Sequence, residues 1–420
     1  IRSVVLPYAR PGIIGGCFLA LGRALGETMA VTMLIGNSPK ITGSLFALGD
    51  SIPSVIANQL DSARVGAPMY LSALIELGLA LFLVTVIINI LARWMISRLG
   101  RPRRGLTLWA RLRGAGRLPS PVDRPEQPTP SRNGPPISTA SPVAARRMNV
   151  IMASVLGMSL AIILVPLFHI FGYVVIRGAT ALNLEFFTNR PIDRPSGLGP
   201  ALVGSAVMIG MATLWAVPLG ILGALFLSEY RTSRVTPVVR FVAELLGGVP
   251  SIVIGMFAFA LLVARPGGDY SAYAGAFALG VMMIPVVLRS SEESLRLVPA
   301  TLRNASYALG ASHWQTVVRV IVPAALPAII TGVFLSIARI AGETAPLLFT
   351  AFSSNLWPQS LNEPTPSLTY FIYNYSLHDQ PEKWQLAWGG ALVLLTVVMA
   401  LNVGIRLVTG KRVLLASRAD

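Results

Sequence analysis

Two charged pairs sit in otherwise uncharged apolar sequence. Arg23 and Glu27, and again Arg339 and Glu343, are four residues apart, a spacing that puts both members of a pair on one face of a helix. A charge at the centre of a bilayer costs about 2.5 to 3.5 kcal/mol on insertion scales. Each pair is therefore either a self-neutralised contact that fixes a helix bundle or a hydrated site with a use. As a site, the two arginines offer forked guanidinium donors to a tetrahedral oxyanion, while the glutamates keep that anion from being trapped. An arginine pair alone does not separate phosphate from sulfate or molybdate. Thr28 and Thr344 follow the acids and either donate hydroxyls to the same ligand or bond back to their own helix.

Other reactive residues are sparse. One cysteine, Cys17, and three histidines, His169, His313 and His378, give neither an internal disulfide nor a metal-ligand spacing. Cys17 reads as inert packing and His169 as a packed, hydrogen-bonded histidine in an apolar span. His313 and His378 read as loop residues, and Glu76 lies where it can snorkel to water. The phosphate-cradling pattern Gly-x-x-x-x-Gly-Lys-Ser/Thr is missing, since Gly410-Lys411 lacks both the upstream glycine and the hydroxyl. No cofactor is called for, and ATP must bind another chain. With no nucleophile or metal set beside Glu27 or Glu343, an intramembrane enzyme has no catalytic residues to use.

The elements that must hold these residues follow from composition. The 420 residues are 54% hydrophobic and 12% charged, with a mean hydropathy of +0.66, which is membrane composition. Crossing the hydrocarbon takes roughly 20 apolar residues. Eight runs qualify, near 12–35, 70–92, 150–176, 201–228, 241–263, 271–288, 325–350 and 386–408, which predicts an all-α polytopic membrane bundle. Pro218, Pro250 and Pro285 fall inside runs and predict kinks. The net charge of +16 would suggest nucleic acid in a soluble protein. With the start of the chain in the cytoplasm, however, most Lys and Arg fall on the inner side, as insertion requires. Residues 93–147, with 12 arginines against Asp123 and Glu126 and abundant Pro, Ser and Thr, read as a disordered cytoplasmic linker. Its Arg98 to Arg117 cluster either serves topology alone or holds anionic lipid headgroups. The chain opens on Ile1 with no cleavable signal pattern and reads as cut at its start.

The linker leaves two spans before it and six after, and an internal repeat accounts for the imbalance. Val4 to Ile14 aligns with Val320 to Ile330 at a constant offset of 316, both prolines coinciding. The register continues through Leu19, Arg23, Gly26, Glu27 and Thr28 against Leu335, Arg339, Gly342, Glu343 and Thr344. Asn89 and Arg93 match Asn402 and Arg406 at an offset of 313. One copy is truncated, and its missing part corresponds to about 149–316 of the other. Related units facing one another are a common way to build a transport pathway.

Between the sixth and seventh runs lies a polar stretch with Asn304-Ala305-Ser306, then Gly310, then Val322-Pro323. Small residues followed by glycine let a partner approach a short helix closely, and Pro323 is expected to end an extended piece before the next span. This spacing resembles the Glu-Ala-Ala docking loop of the type I, binding-protein-dependent ABC importer permeases, with Asn304 and Ser306 departing from the pattern. Ile1 to Pro7 resembles the tail of a second such loop. Gly197-Leu198-Gly199-Pro200, Gly248-Val249-Pro250-Ser251-Ile252-Val253, Ser290-Ser291-Glu292-Glu293-Ser294-Leu295 and the Arg-x-x-Gly-Glu-Thr segment narrow the resemblance to the PstA family of phosphate-specific permease subunits over 148–415. Residues 1–99 are similar to the C-terminal third of the partner family, PstC.

The resemblance implies a non-catalytic permease domain over 148–420 in a bacterial inner membrane. It implies as partners a PstB-like ATPase seated on the docking loop, a PstC-like permease subunit, a PstS-like phosphate-binding protein and membrane lipid, with no nucleic acid. It places the Arg/Glu helix along the route of the substrate. The truncated first unit leaves open a second expectation, that the fused chain is a nonproductive or regulatory membrane scaffold.

Overall fold

The computed structural model describes residues 9, 13, 14, 16, 17, 20, 21, 24–40, 43, 44, 46–65, 68–99 and 142–416. Arg23, Ile1 to Pro7 and linker residues 100–141 therefore lie outside the described residues. The elements along the chain are all helical. They begin with α1 (Met29–Leu34), α2 (Ile52–Val65), α3 (Pro68–Leu99), α4 (Pro142–Ala179), α5 (Leu184–Thr188), α6 (Gly199–Glu229), α7 (Thr236–Gly248) and α8 (Ser251–Ala258), the last running into a π segment, Phe259–Val263. Then come α9 (Ala272–Arg296), α10 (Ala300–Ala308), α11 (His313–Thr316), a second π segment (Val317–Ile321), α12 (Val322–Ala341), α13 (Ala345–Thr350), α14 (Leu368–Ser376) and α15 (Pro381–Ala416).

Among the described residues, six helices are long and apolar enough to cross a membrane: Met69–Ala92, Arg146–Ala179, Gly199–Glu229, Ala272–Arg296, His313–Ala341 and Pro381–Ile405. Three sequence expectations change here. The run 241–263 is a bent pair, α7 and α8 with its π segment, turned by 102°. Val249 is extended and Pro250, which lacks an N–H, starts the second arm. The run 325–350 ends early, at Ala341. The linker expectation ran to 147, yet α4 already begins at Pro142. Pro218 and Pro285 lie inside α6 and α9 without ending them.

The chain divides into two compact units, residues 1–96 with 175–420, and residues 97–174. In the second unit α4 exposes Leu156, Ile162, Phe168 and Ile170. His169 is exposed there too, not packed as expected. In the first unit the packing is that of a membrane bundle, in which small residues let backbones close up. Along α6 the buried positions recur every four residues, at Gly204, Met208, Ala212, Ala216, Gly220 and Ala224. This stripe meets α9, whose Ala272, Ala276, Leu279, Met283 and Val287 are buried with it. A methyl placed on Gly220 would lie 2.8 Å from Cβ of Val287, and one on Gly280 would collide with the Trp215 ring. Cys17 is exposed, not packed as expected, and so are Leu21 and Leu25 in the same stretch.

Candidate functional site

The Arg-x-x-Gly-Glu-Thr segment is not a helix face. α12 stops at Ala341, Gly342 caps it with φ −91° and ψ 0°, and α13 starts after Thr344. Arg339 sits in the last turn of α12, where a cation meets the negative end of the helix dipole, while Glu343 lies beyond the helix in the gap. The expectation of a shared face is therefore corrected. The gap is held by backbone bonds from Gly342 N–H to the Arg339 carbonyl at 3.3 Å and from Glu343 N–H to the Ile340 carbonyl at 3.1 Å. The Thr369 hydroxyl donates to the Glu343 carbonyl at 3.0 Å, fastening the gap to the start of α14. Arg339 is exposed, and Glu343 and Thr344 are half-buried.

The first copy breaks at the same place. Gly26, Glu27 and Thr28 lie outside helix, α1 follows, and Glu27 N–H donates to the Ala24 carbonyl at 3.2 Å. Thr28 has φ −106° and ψ −60°, against −110° and −47° at Thr344. Thr28 is buried and its hydroxyl donates a long 3.4 Å bond to the Gly26 carbonyl. Glu27 is exposed.

A third interruption, at Val249-Pro250, joins these two. A methyl on Gly26 would lie 2.8 Å from Cβ of Pro250, and one on Gly255 would lie 2.7 Å from Cα of Pro346. The arm α8 thus packs against the first break at one point and against α13, just past the second, at another. One apolar cluster joins Ile56, Leu74 and Leu81 to Ile252, Met256, Ala345 and Phe349. Interrupted membrane helices present free backbone donors and acceptors at mid-depth, a recurrent way of building an ion or substrate path.

The polar stretch between α9 and α12 forms a compact helical elbow. In α10, Asn304 and Ala305 are exposed, whereas Ser306 is buried and shares a 2.9 Å hydroxyl contact with Thr316. Gly310 has φ +82°, a conformation that disfavours any side chain. Ser312 and Gln315 form a reciprocal capping box that starts α11, so His313 is helical, not in a loop. Val322 and the exposed Pro323 do not end an extended piece: His313–Ala341 is helical throughout. The π segment makes this possible, because Val322 N–H reaches back to the Val317 carbonyl, and the proline sits in the first turn of α12 where its missing donor is tolerated.

Sequence reasoning missed the ion pairs beneath this elbow. Glu229, at the end of α6 with its side chain 5% exposed, accepts two 2.8 Å bonds from Arg303 of α10 and lies 3.3 Å from His313 Nε2. Glu292, equally hidden, bridges Arg240 of α7 at 2.7 Å and Arg296. Only the Glu292/Arg296 spacing, i to i+4, carried a sequence signal.

These features describe a helical membrane component with an exposed helical elbow and paired helix interruptions. A family model described as "Binding-protein-dependent transport system inner membrane component" matches residues 216–411, which include the elbow and the second interruption. The "Phosphate transport system permease protein PstA" of Xylella fastidiosa (strain 9a5c) is 40% identical over 237 residues, covering 56% of this chain and 82% of that protein. That of Haemophilus influenzae is 40% identical over 258 residues, covering 60% and 91%. PstA 1 of Mycobacterium tuberculosis (strain ATCC 25618 / H37Rv) is 38% identical over 283 residues, covering 64% and 92%. Among solved structures, an inward-facing MetNI methionine ABC transporter aligns at 16% identity with a TM-score of 0.42, covering 57% of this chain and 97% of that one. The chain belongs to the PstA family of phosphate transport permease proteins.

Proposed function

We propose that this chain is the inner-membrane permease subunit of an ATP-driven importer of inorganic phosphate. The observation that carries the reading is 40% identity to phosphate permeases of which the chain covers 82% and 91%. This favours phosphate over sulfate or molybdate, and a working permease over a scaffold. In this reading the interruption at 339–344 lies on the anion's route. Arg339 supplies a forked donor, Thr344 a hydroxyl, and Glu343 limits how tightly the anion is held. Arg23, Glu27 and Thr28 hold the matching positions of a PstC-like remnant over 1–99, joined through 100–147. Thr28 is turned to its own backbone, so the second copy carries the chemistry.

The exposed face of α10, with Asn304, Ala305 and the turn at Gly310, seats a PstB-like ATPase, and Val322 and Pro323 lead from it into the membrane. ATP hydrolysis belongs to that partner. A PstS-like protein delivers phosphate from outside, and a PstC-like subunit supplies the second bundle. The test is uptake of radiolabelled phosphate in cells lacking their own permease genes, with the chain alone, with a full PstC-like partner, and as Arg339→Ala. Uptake that needs the partner, is outcompeted by phosphate but not sulfate, and falls in the variant is expected. No uptake in any combination, despite membrane insertion, would refute the reading.

A further inference from the structure

The ion pairs under the elbow leave part of their charge unspent. A cleft of about 560 Å³ opens beside Glu229 and Arg303, lined also by Arg231, Arg296, Thr232, Tyr307 and His313. Three arginines, Arg231, Arg296 and Arg303, line it against one carboxylate, Glu229, a local excess of two positive charges before His313 is counted and before Arg296 is offset by Glu292 behind the wall. Glu229 is engaged by Arg303 and His313, and Glu292 by Arg240 and Arg296. Neither acid bonds Arg231, whose Nε donates to the Ser228 carbonyl and, among the described residues, to nothing else.

Arg303 is held at the cleft wall by Glu229. Its Nη1 serves both oxygens of Glu229, while its Nη2 is buried with no hydrogen-bond partner among the described residues. A buried guanidinium N–H without an acceptor is costly and rare. The first turn of α10 adds to this. Its start, Pro299-Ala300, lines the same cleft and has no side-chain cap, so amide N–H groups and the positive end of the helix dipole lie at the cleft wall. Arginine forks, hydroxyls from Thr232 and Tyr307, and an uncapped helix start together match an acceptor-rich tetrahedral anion better than a flat carboxylate.

We infer that this cleft binds a phosphate group, presented either by inorganic phosphate or by the headgroup of an anionic phospholipid. The site is distinct from the 339–344 interruption. Only the side of the membrane it faces, the one carrying α10, rests on the proposed function. If inorganic phosphate is the ligand, the delivered ion occupies the elbow that seats the ATPase and gives the importer a product-sensing position. If a lipid headgroup is the ligand, the elbow is anchored at the membrane surface.

The full chain in phosphatidylcholine nanodiscs is titrated calorimetrically with inorganic phosphate. In parallel, nanodiscs containing phosphatidylglycerol are examined by native mass spectrometry for retained lipid, and every variant is checked for helicity by circular dichroism. Saturable phosphate binding weakened at least tenfold by Arg231→Gln and by Arg296→Gln is the result expected for the free ion. A retained phosphatidylglycerol lost in the same two variants, without phosphate binding, is the result expected for the headgroup. Absence of both, or their persistence in folded Arg231→Gln and Arg296→Gln, overturns the inference. Phosphate binding that disappears in Arg339→Ala and survives in the cleft variants also overturns it, while leaving the transport reading standing.

Discussion

The described residues of 24–55 share backbone features with 340–371, in very different surroundings. At an offset of 316, the bond from Ile35 N–H to the Val31 carbonyl (2.9 Å) recurs from Ala351 to Leu347 (3.0 Å), and that from Gly49 to Ile35 (2.9 Å) recurs from Thr365 to Ala351 (3.1 Å). Ser51 accepts from Ser54 N–H as Ser367 accepts from Tyr370 N–H. The left-handed residue Gly36, φ +84°, falls on Phe352, φ +55°. Yet all six residues of α13 are buried, while in α1 only Thr32 is. A shape kept in both a packed and an exposed setting is set by local chemistry. Pro346, which would explain the break in the second copy, is Ala30 in the first, so the Gly-Glu-Thr triplet is the common cause.

The copies differ in what is tied to the break. Thr369 fastens the Glu343 carbonyl, whereas its counterpart is Pro53, which has no hydroxyl. The largest expected effect follows from the proposed division of labour. Arg339→Ala should slow phosphate uptake at least tenfold, equivalent to about 1.4 kcal/mol, while Glu27→Gln leaves the rate within about twofold. Equal losses in both variants would mean that the copies share the task.

The next effect is steric. Gly26→Ala drives a methyl into Pro250 at 2.8 Å and should cost about 1–3 kcal/mol in thermal unfolding of the purified chain. Gly342→Ala meets nothing nearer than the Arg339 carbonyl at 3.8 Å and should be neutral or stabilising by up to about 1 kcal/mol. A reversed order would place the strain in the other copy. Smallest is Thr369→Val, which removes one hydrogen bond worth about 1 kcal/mol. Hydrogen exchange at Glu343 and Thr344 should rise toward the rate at Glu27 and Thr28, and an unchanged rate would show that the hydroxyl is no latch.

The helical class, most spans and the repeat were legible because they rest on apolar run length and on register, both of which are linear in sequence. The break at Gly342 was not. A single glycine costs a helix only about 1 kcal/mol, and Arg339 and Glu343 at i and i+4 resemble an ordinary helical pair. The turn at Pro250 was anticipated as a kink, because proline removes a backbone donor wherever it stands. Pro323 misled for the same reason, since a π segment one turn earlier absorbs it. The Glu229–Arg303 pair spans 74 residues, and no local pattern announces a partner at that distance.

The helix His313–Ala341 has a mechanical consequence. Its 29 residues make a rod roughly 43 Å long at about 1.5 Å per residue, with the proposed ATPase seat at one end and Arg339 at the other. A few degrees of tilt at the seat arrives at the far tip as a displacement of ångströms, enough to make or lose a hydrogen bond. The π segment at 317–321 holds one surplus residue near the driven end. In the proposed function, this surplus residue is where the rod gives under load, between the ATPase seat and Arg339.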